Sequence, residues 1–334
     1  MCGYWSEAPF IWGMRVKRAR DNGIALNVLS TKPPRHQSLF KAMRFHQWVK
    51  NILIFAVPGL NILHFKPEWI ITLLAGFVAF GLVASATYIL NDLLDIQDDR
   101  KHPTKKHRVF ARGALDIKTG LIGMFALAAT GMAIGLMIGP MFALTILGYG
   151  LISTSYSLVF KKIAILDTIV LSFLFCWRVL AGAVIITVPV APWFFAAIAF
   201  FFFSLALGKR CIELRRNETR TPAAPSNAVS EGRLAGRGYR IVDKPVVLAL
   251  GIAGGVCSTI IVLIYALLSR SSIIDHDVSA FLVGFLLMGW TGQFWLLVNR
   301  GEVHDDPIVF ALKDKASLAV LSVIGLTMLV EQLI

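Results

Sequence analysis

Apolar residues in this chain fall in long unbroken runs rather than in stripes of helical or strand period. A helix that crosses a bilayer needs about 20 mostly apolar residues. The runs that approach or reach that length are 51–65, 69–90, 118–138, 141–160, 165–187, 192–208, 245–268, 279–299 and 315–334. The first is short and interrupted by Pro58 and Gly59, so a re-entrant or tilted segment is expected there. The pattern predicts an all-α integral membrane protein, a bundle of about nine transmembrane helices within residues 41–334. Residues 1–40 are polar and basic and read as a cytoplasmic tail, partly disordered. They hold no apolar core of the kind a cleavable signal peptide needs, so none is expected.

Composition agrees with this reading. Of the 334 residues, 56% are hydrophobic and only 16% charged, against roughly a quarter charged in a soluble domain. The net charge of +13 would suit nucleic acid, but its distribution does not. With the N-terminus inside, 30 of the 33 Lys and Arg fall in segments 1–50, 91–118, 161–164, 209–244 and 300–315. The intervening loops hold only Lys66 and Arg270, and Arg178 lies within a span. Basic residues are retained on the cytoplasmic side of short loops. The charge is therefore mostly a topology signal, for a multi-pass protein of the cell inner membrane with its N-terminus in the cytoplasm and no nucleic-acid partner. Cys2, Cys176, Cys211 and Cys257 are scattered, without CxxC or Cys/His spacing, and read as incidental thiols.

The chemistry concentrates in the loops assigned to the cytoplasm. After the second run comes NDLLDIQDDRKHPTKKHRVFARG, residues 91–113. If that run continues as a helix, Asp92, Asp95 and Asp99 point within about 60° of one another, whereas Asp98 is off their face. Three carboxylates on one face repel unless a cation sits among them. Oxygen ligands at a helix end suit Mg²⁺, which keeps several waters and bridges to phosphates. Arg100, Lys101, Lys105, Lys106 and Arg108 follow, and metal plus basic clamp suits a pyrophosphate leaving group. The bland alternative is a solvated loop that enforces topology; acids have the wrong sign for that task.

Three further groups share this predicted depth. They are Arg44, His46, Gln47, Trp48, Lys50 and Asn51 around the first run; Tyr156, Lys161, Lys162 and Asp167 between the fourth and fifth; and Gly208 to Glu213, with Lys209 and Arg210, after the sixth. Their convergence would make the mouth of one cavity, although positive-inside statistics alone would produce part of it. Trp48 and Lys50 could also be plain interfacial anchors. Arg178 is different: an arginine in mid-span is unfavourable by about 2.5–3.5 kcal/mol, so such residues face a polar interior. Asp167 lies almost on its helical face about 16 Å away along the axis, so the two would line one pocket, with Asp167 at its mouth. The alternative for Arg178 is bonding to the carbonyls of a neighbouring helix.

The NDxxDxxxD motif at the end of the second run resembles that of the UbiA superfamily of intramembrane prenyltransferases. Four blocks resemble its polyprenyl-phosphate (decaprenyl-phosphate) phosphoribosyltransferase branch: QWVKN (47–51), NDLLDIQDDRKHPTKKHR (91–108), YSLVFKKIAILD with WRVLAGA (156–167 and 177–183), and LALGKRCIEL (205–214). The resemblance implies a transferase that moves 5-phosphoribose from phosphoribosyl pyrophosphate to a polyprenyl phosphate and releases pyrophosphate. It implies Mg²⁺ on Asn91, Asp92, Asp95 and Asp99, the three aspartates being catalytic. It makes Lys50, Lys105, Arg108, Lys161, Lys209 and Arg210 phosphate contacts and Arg178 a contact for the lipid phosphate. The product would feed lipid-linked arabinose for glycan arabinosylation, in the cell envelope or on nodulation lipo-oligosaccharides. Arg108-Val-Phe-Ala-Arg112-Gly113 departs from the usual RPIASG-like stretch, which puts fine substrate preference in question. An aromatic prenyltransferase of the same superfamily would carry a second aspartate-rich motif after the sixth run; residues 209–244 hold one aspartate, Asp243, and no DxxxD. A secondary transporter would place its ionisable residues near the midplane, where only Arg178 is found.

Overall fold

Among the described residues, seven of the nine apolar runs form helices long and apolar enough to cross a membrane. The structure, a computed structural model, describes residues 34–60, 65–101, 105–220, 232–234, 236–268, 275–304 and 306–333. The seven helices are α1 (Trp69–Leu94), α2 (Ile117–Ile138), α3 (Pro140–Leu158), α4 (Leu166–Ile186), α5 (Pro192–Arg220), α6 (Lys244–Leu268) and α7 (Asp275–Arg300). The last run gives α8 (Lys315–Leu333), whose apolar stretch is shorter. Among the described residues the only β pairing is an isolated bridge between Arg233 and Arg240. The protein is an all-helical, multi-pass membrane protein.

The run 51–65 takes a different shape from the others. Phe45–Phe55 is a 3₁₀ segment and Ala56–Leu60 a short α-helix, with residues 61–64 outside the described set. The segment enters through Arg44, whose φ of 52° turns the chain out of the helix Arg35–Ala42. It is held from both sides. The Trp48 indole N–H donates to Ser85 Oγ at 2.9 Å, and Ser85 Oγ donates to the Met43 carbonyl at 2.8 Å. Small residues on α1 and α4 make the slot it occupies. A Cβ at Gly81 would lie 2.7 Å from the Trp48 ring, and one at Gly182 would collide with the Ile54 carbonyl. Small residues of this kind let backbones approach within a membrane. A backbone atom cannot swing aside, so Gly182→Ala should destabilise the fold by at least about 2 kcal/mol, read as a lowered thermal unfolding midpoint in detergent. Gly289→Ala, where an added Cβ meets nothing within 4 Å, is the silent control.

Two of the three apolar clusters among the described residues form the main cores of the bundle. One joins α1, α3 and α4 around Phe80, Phe142, Ile146 and Tyr149, with Ile54 and Val57 from the slotted segment. The other joins α5, α6 and α7 around Leu207, Val247, Phe294 and Trp295. Helix α4 packs against both α3 and α5 and links the two halves. The proposed boundary at residue 40 falls inside the helix Arg35–Ala42, which buries Ser38 and Ala42. Of the tail 1–40 expected to be partly disordered, residues 1–33 lie outside the described set.

Candidate active site

The polar ends of the linked helices enclose a cavity of about 690 Å³. Helix α1 presents Thr87, Tyr88, Asn91 and Asp92; α3 presents Tyr149, Ser153, Tyr156 and Ser157; α4 presents Leu171, Leu174, Phe175 and Arg178. Each set recurs at intervals of three and four residues, the spacing of one helical face. Helix α5 adds Lys209, Arg210 and Glu213, and the slotted segment adds His46, Gln47 and Lys50. Lys105, Arg108 and Arg112 close one side, and Arg237 and Asp306 come from later connections. Ten Lys and Arg side chains line the space against three carboxylates, Asp92, Glu213 and Asp306. The excess of cations favours an anionic ligand there.

The acidic motif is built differently from the continuous helix expected of it. Helix α1 ends at Leu94, Asp95 turns the chain (φ −96°, ψ 8°), and a short helix, Ile96–Lys101, carries Asp98 and Asp99. Asp92 and Asp99 are buried and converge on one guanidinium: Arg108 Nη1 lies 3.1 Å from Asp92 Oδ1 and 2.8 Å from Asp99 Oδ2. Arg44 also pairs with Asp92. Asp95 leaves this face because the helix breaks there, and it takes Lys161 Nζ at 2.6 Å. The same ammonium lies 3.3 Å from Asn91 Oδ1. Asp98 is exposed. Burial raises the Asp99 pKa against the opposing pull of Arg108, and burial lowers that of Lys105.

Among the described residues no three His, Cys, Asp or Glu side chains stand close enough to hold a metal ion together. Asp92 and Asp99 nevertheless offer hard oxygen donors from one place. Mg²⁺ takes one or two carboxylates and completes its shell with water and phosphate, and the pair fits that mode.

Arg178 sits deep in α4 and is 4% exposed. Its described partners are neutral: Asn51 Oδ1 at 3.1 Å, the Leu174 carbonyl of its own helix at 2.6 Å, and Tyr149 Oη at 2.8 Å. The rings of Tyr149, Phe175 and Phe80 lie 4.9–5.5 Å from its guanidinium carbon. A buried cation that faces a cavity with neutral partners favours an anion there. Asn51 is buried behind it, as a support of Arg178, and is not part of the wall.

Asp167 does not line the cavity with Arg178 as its helical face suggested. It is fully buried and accepts from Arg210 Nε at 2.6 Å and from Tyr239 Oη at 2.6 Å. A carboxylate this deep is stable only when paired, and Arg210 in α5 is its partner. Arg210 Nη1 reaches Glu213 Oε2 at 2.5 Å, and Nη2 reaches Tyr156 Oη at 3.3 Å. Ile165, just before α4, has φ 65°, a strained value for a β-branched residue, and its N–H donates to Tyr239 Oη at 2.8 Å. The loop tyrosine thus holds both the strained turn and the buried acid. Arg237, two residues earlier, donates to Tyr156 Oη at 2.5 Å.

Asp306, Arg237 and Tyr149 were not among the residues expected here. Tyr149 lies mid-run, with no sequence mark of its own. Asp306-Pro307 does carry a mark, an N-cap acid before a proline at the first helical position, and it caps the helix Pro307–Lys313. Its site role depends on contacts 97 and 256 residues away in sequence, with Lys209 and Lys50.

A profile of the UbiA prenyltransferase family matches residues 52–220. The protein y4nM of Sinorhizobium fredii is 36% identical over 303 residues, which are 90% of this chain and 57% of that protein. Nodulation protein NoeC of Azorhizobium caulinodans is 32% identical, over 83% of this chain and 88% of that one. Decaprenyl-phosphate phosphoribosyltransferase of Mycobacterium tuberculosis is 34% identical, over 58% of this chain and 66% of that enzyme. The chain thus spans less than two thirds of the length of the first and third of these relatives. Among solved structures, a UbiA homolog from Archaeoglobus fulgidus bound to GPP and Mg²⁺ superposes with a TM-score of 0.65 at 16% identity, covering 87% of this chain and 99% of that one.

Proposed function

The chain belongs to the UbiA prenyltransferase family and is a membrane transferase, and on that premise we propose that the group it transfers is 5-phosphoribose. The donor is phosphoribosyl pyrophosphate, the acceptor a polyprenyl phosphate, and the by-product pyrophosphate. The observation that carries this reading is the charge of the wall: ten cations against three carboxylates. Donor and acceptor together bring a sugar phosphate, a diphosphate and a lipid phosphate to one place. A prenyl diphosphate with an aromatic acceptor brings far less negative charge, and an aromatic prenyltransferase would show a second acidic motif. Glu213 and Asp306, the carboxylates opposite the first motif, are instead engaged by Arg210 and by Lys50 and Lys209.

In the reaction the bond from C1 of the ribose to the diphosphate oxygen breaks, and a lipid phosphate oxygen forms the new bond to C1. That oxygen is already ionised, so no general base is needed, in keeping with a wall dominated by cations. Asp92 and Asp99, with Asn91, would hold Mg²⁺, which when bound neutralises charge on the diphosphate leaving group. Arg44 and Arg108 turn from these aspartates towards phosphate oxygens, as bidentate guanidinium groups do readily. Arg178 draws the lipid phosphate inward past the apolar side chains Leu171, Leu174 and Phe175, which keep water from the reacting carbon. The cavity opens to the cytoplasm of the inner membrane, where a soluble phosphosugar reaches a lipid. The product would supply lipid-linked arabinose for the cell envelope or for nodulation lipo-oligosaccharides; the similarity to NoeC supports the second. The test is incubation of membranes containing the chain with ring-labelled phosphoribosyl pyrophosphate and decaprenyl phosphate. Label should enter the lipid fraction, and none there would overturn the reading.

A further inference from the structure

Asp306 belongs neither to the acidic motif nor to the part of the chain that the family profile matches. It arrives from the connection between α7 and the helix Pro307–Lys313. Its Oδ2 lies 3.0 Å from Lys209 Nζ and 3.3 Å from Lys50 Nζ. One oxygen therefore bridges two ammonium groups, one from α5 and one from the slotted segment. Its Oδ1 accepts the Ile308 N–H at 3.2 Å, which fixes the direction of the carboxylate. The side chains of Lys50 and Asp306 are 10% and 19% exposed, and all three residues line the cavity. Two ammonium groups that share one carboxylate oxygen repel each other unless that carboxylate stays between them.

We propose that Asp306 is a positioning residue that keeps Lys50 and Lys209 side by side, as a pincer for one phosphate group of a substrate. This rests on the transfer reading above and gives the last helices of the chain a task at the site. The charges that face Lys50 are Lys209 from α5, Arg178 from α4 and Asp306, with the Phe175 ring 5.7 Å from its Nζ and His46 on its own segment. Burial, then Lys209, brings Lys50 down to about 8, while Asp306 holds it up; Asp306 itself is held well below the carboxylate range by the two lysines. The Lys50 arm of the pincer is therefore charged below pH 8, and phosphate affinity falls as pH rises through that value. Without the carboxylate the same loss must set in at lower pH.

Asp306→Asn removes the charge while keeping a good N-cap, so it separates the pincer from the helix end; Asp306→Glu restores the charge. Binding of inorganic phosphate and of ribose 5-phosphate to the purified full chain can be followed by the ligand-induced rise in unfolding temperature, with no transfer required. Asp306→Asn should bind about as well as the parent near pH 6 and roughly threefold more weakly near pH 7.5, as for an ammonium whose titration moves down by about one unit. Asp306→Glu should regain most of the difference. In transfer assays Asp306→Asn should raise KM with little change in kcat, for phosphoribosyl pyrophosphate if the pincer holds the donor's 5-phosphate, or for the polyprenyl phosphate if it holds the lipid's. Unchanged pH dependence of binding in Asp306→Asn, with both KM values unmoved, would overturn the pincer and leave the transfer reading intact. The expected binding behaviour in a chain that transfers nothing would support the pincer and overturn the transfer reading.

Discussion

Asp92→Ala is expected to lower transfer by at least about a thousandfold, the scale set by loss of a preorganised electrostatic contact in a dry site, while Asp98→Ala stays within about threefold, as for a solvated surface charge. The two residues belong to one short acidic run, so composition alone would not separate them. Geometry does. Asp92 is 3% exposed, faces the cavity, and meets Arg44 and Arg108. Asp99 joins it on Arg108, whereas Asp98 points to solvent. Loss of Asp92 would remove a ligand from the proposed Mg²⁺ site, takes from Arg44 the carboxylate it pairs with, and leaves Arg108 with Asp99 alone. Asp95→Ala should fall between, because its carboxylate holds Lys161 rather than Arg108. The measurement is the initial rate at matched membrane abundance. Equal losses for Asp92→Ala and Asp98→Ala would show that this arrangement of the motif is wrong.

The second large effect is on stability. Arg210→Met should destabilise the protein by about 3–5 kcal/mol, the usual consequence of leaving one half of a buried ion pair. Both side chains of the Arg210–Asp167 pair are fully buried. With Arg210 gone, Asp167 keeps the Tyr239 hydroxyl but loses its close cation, and Arg237 at 3.7 Å is a poor substitute. Adding Asp167→Asn should recover part of the loss, since no charge then remains to be solvated. Unfolding midpoints of the two single variants and the double variant in detergent would decide it. A double variant less stable than Arg210→Met would refute the pairing as the cause.

Much of the fold was legible because lipid imposes a coarse rule: runs of about 20 apolar residues become spans. Seven runs followed it. The run 51–65 departed because its first residues belong to a 3₁₀ segment, Phe45–Phe55, slotted against Gly81 and Gly182, and that slot is made by contacts between distant helices. The acidic motif was legible as chemistry, and its register was not. A helix continued past Leu94 would have aligned Asp95 with Asp92, but the chain turns at Asp95 and gives that residue to Lys161. Asp167 matched Arg178 in helical phase, yet its burial behind Arg210 depends on α5 and on Tyr239, neither of which its own helix specifies. Asp306 is illegible for the same reason: its partners are remote in sequence.

Movement of phosphoribose onto a lipid phosphate can be read from the purified chain in vesicles of defined composition, with Mg²⁺, polyprenyl phosphate, and phosphoribosyl pyrophosphate labelled separately in the ribose and in the diphosphate. The account predicts that each ribose label gained by the lipid is matched by one labelled pyrophosphate released into water. Diphosphate label retained on the lipid, or no ribose label there while a prenyl diphosphate is consumed with an aromatic acceptor, would contradict it.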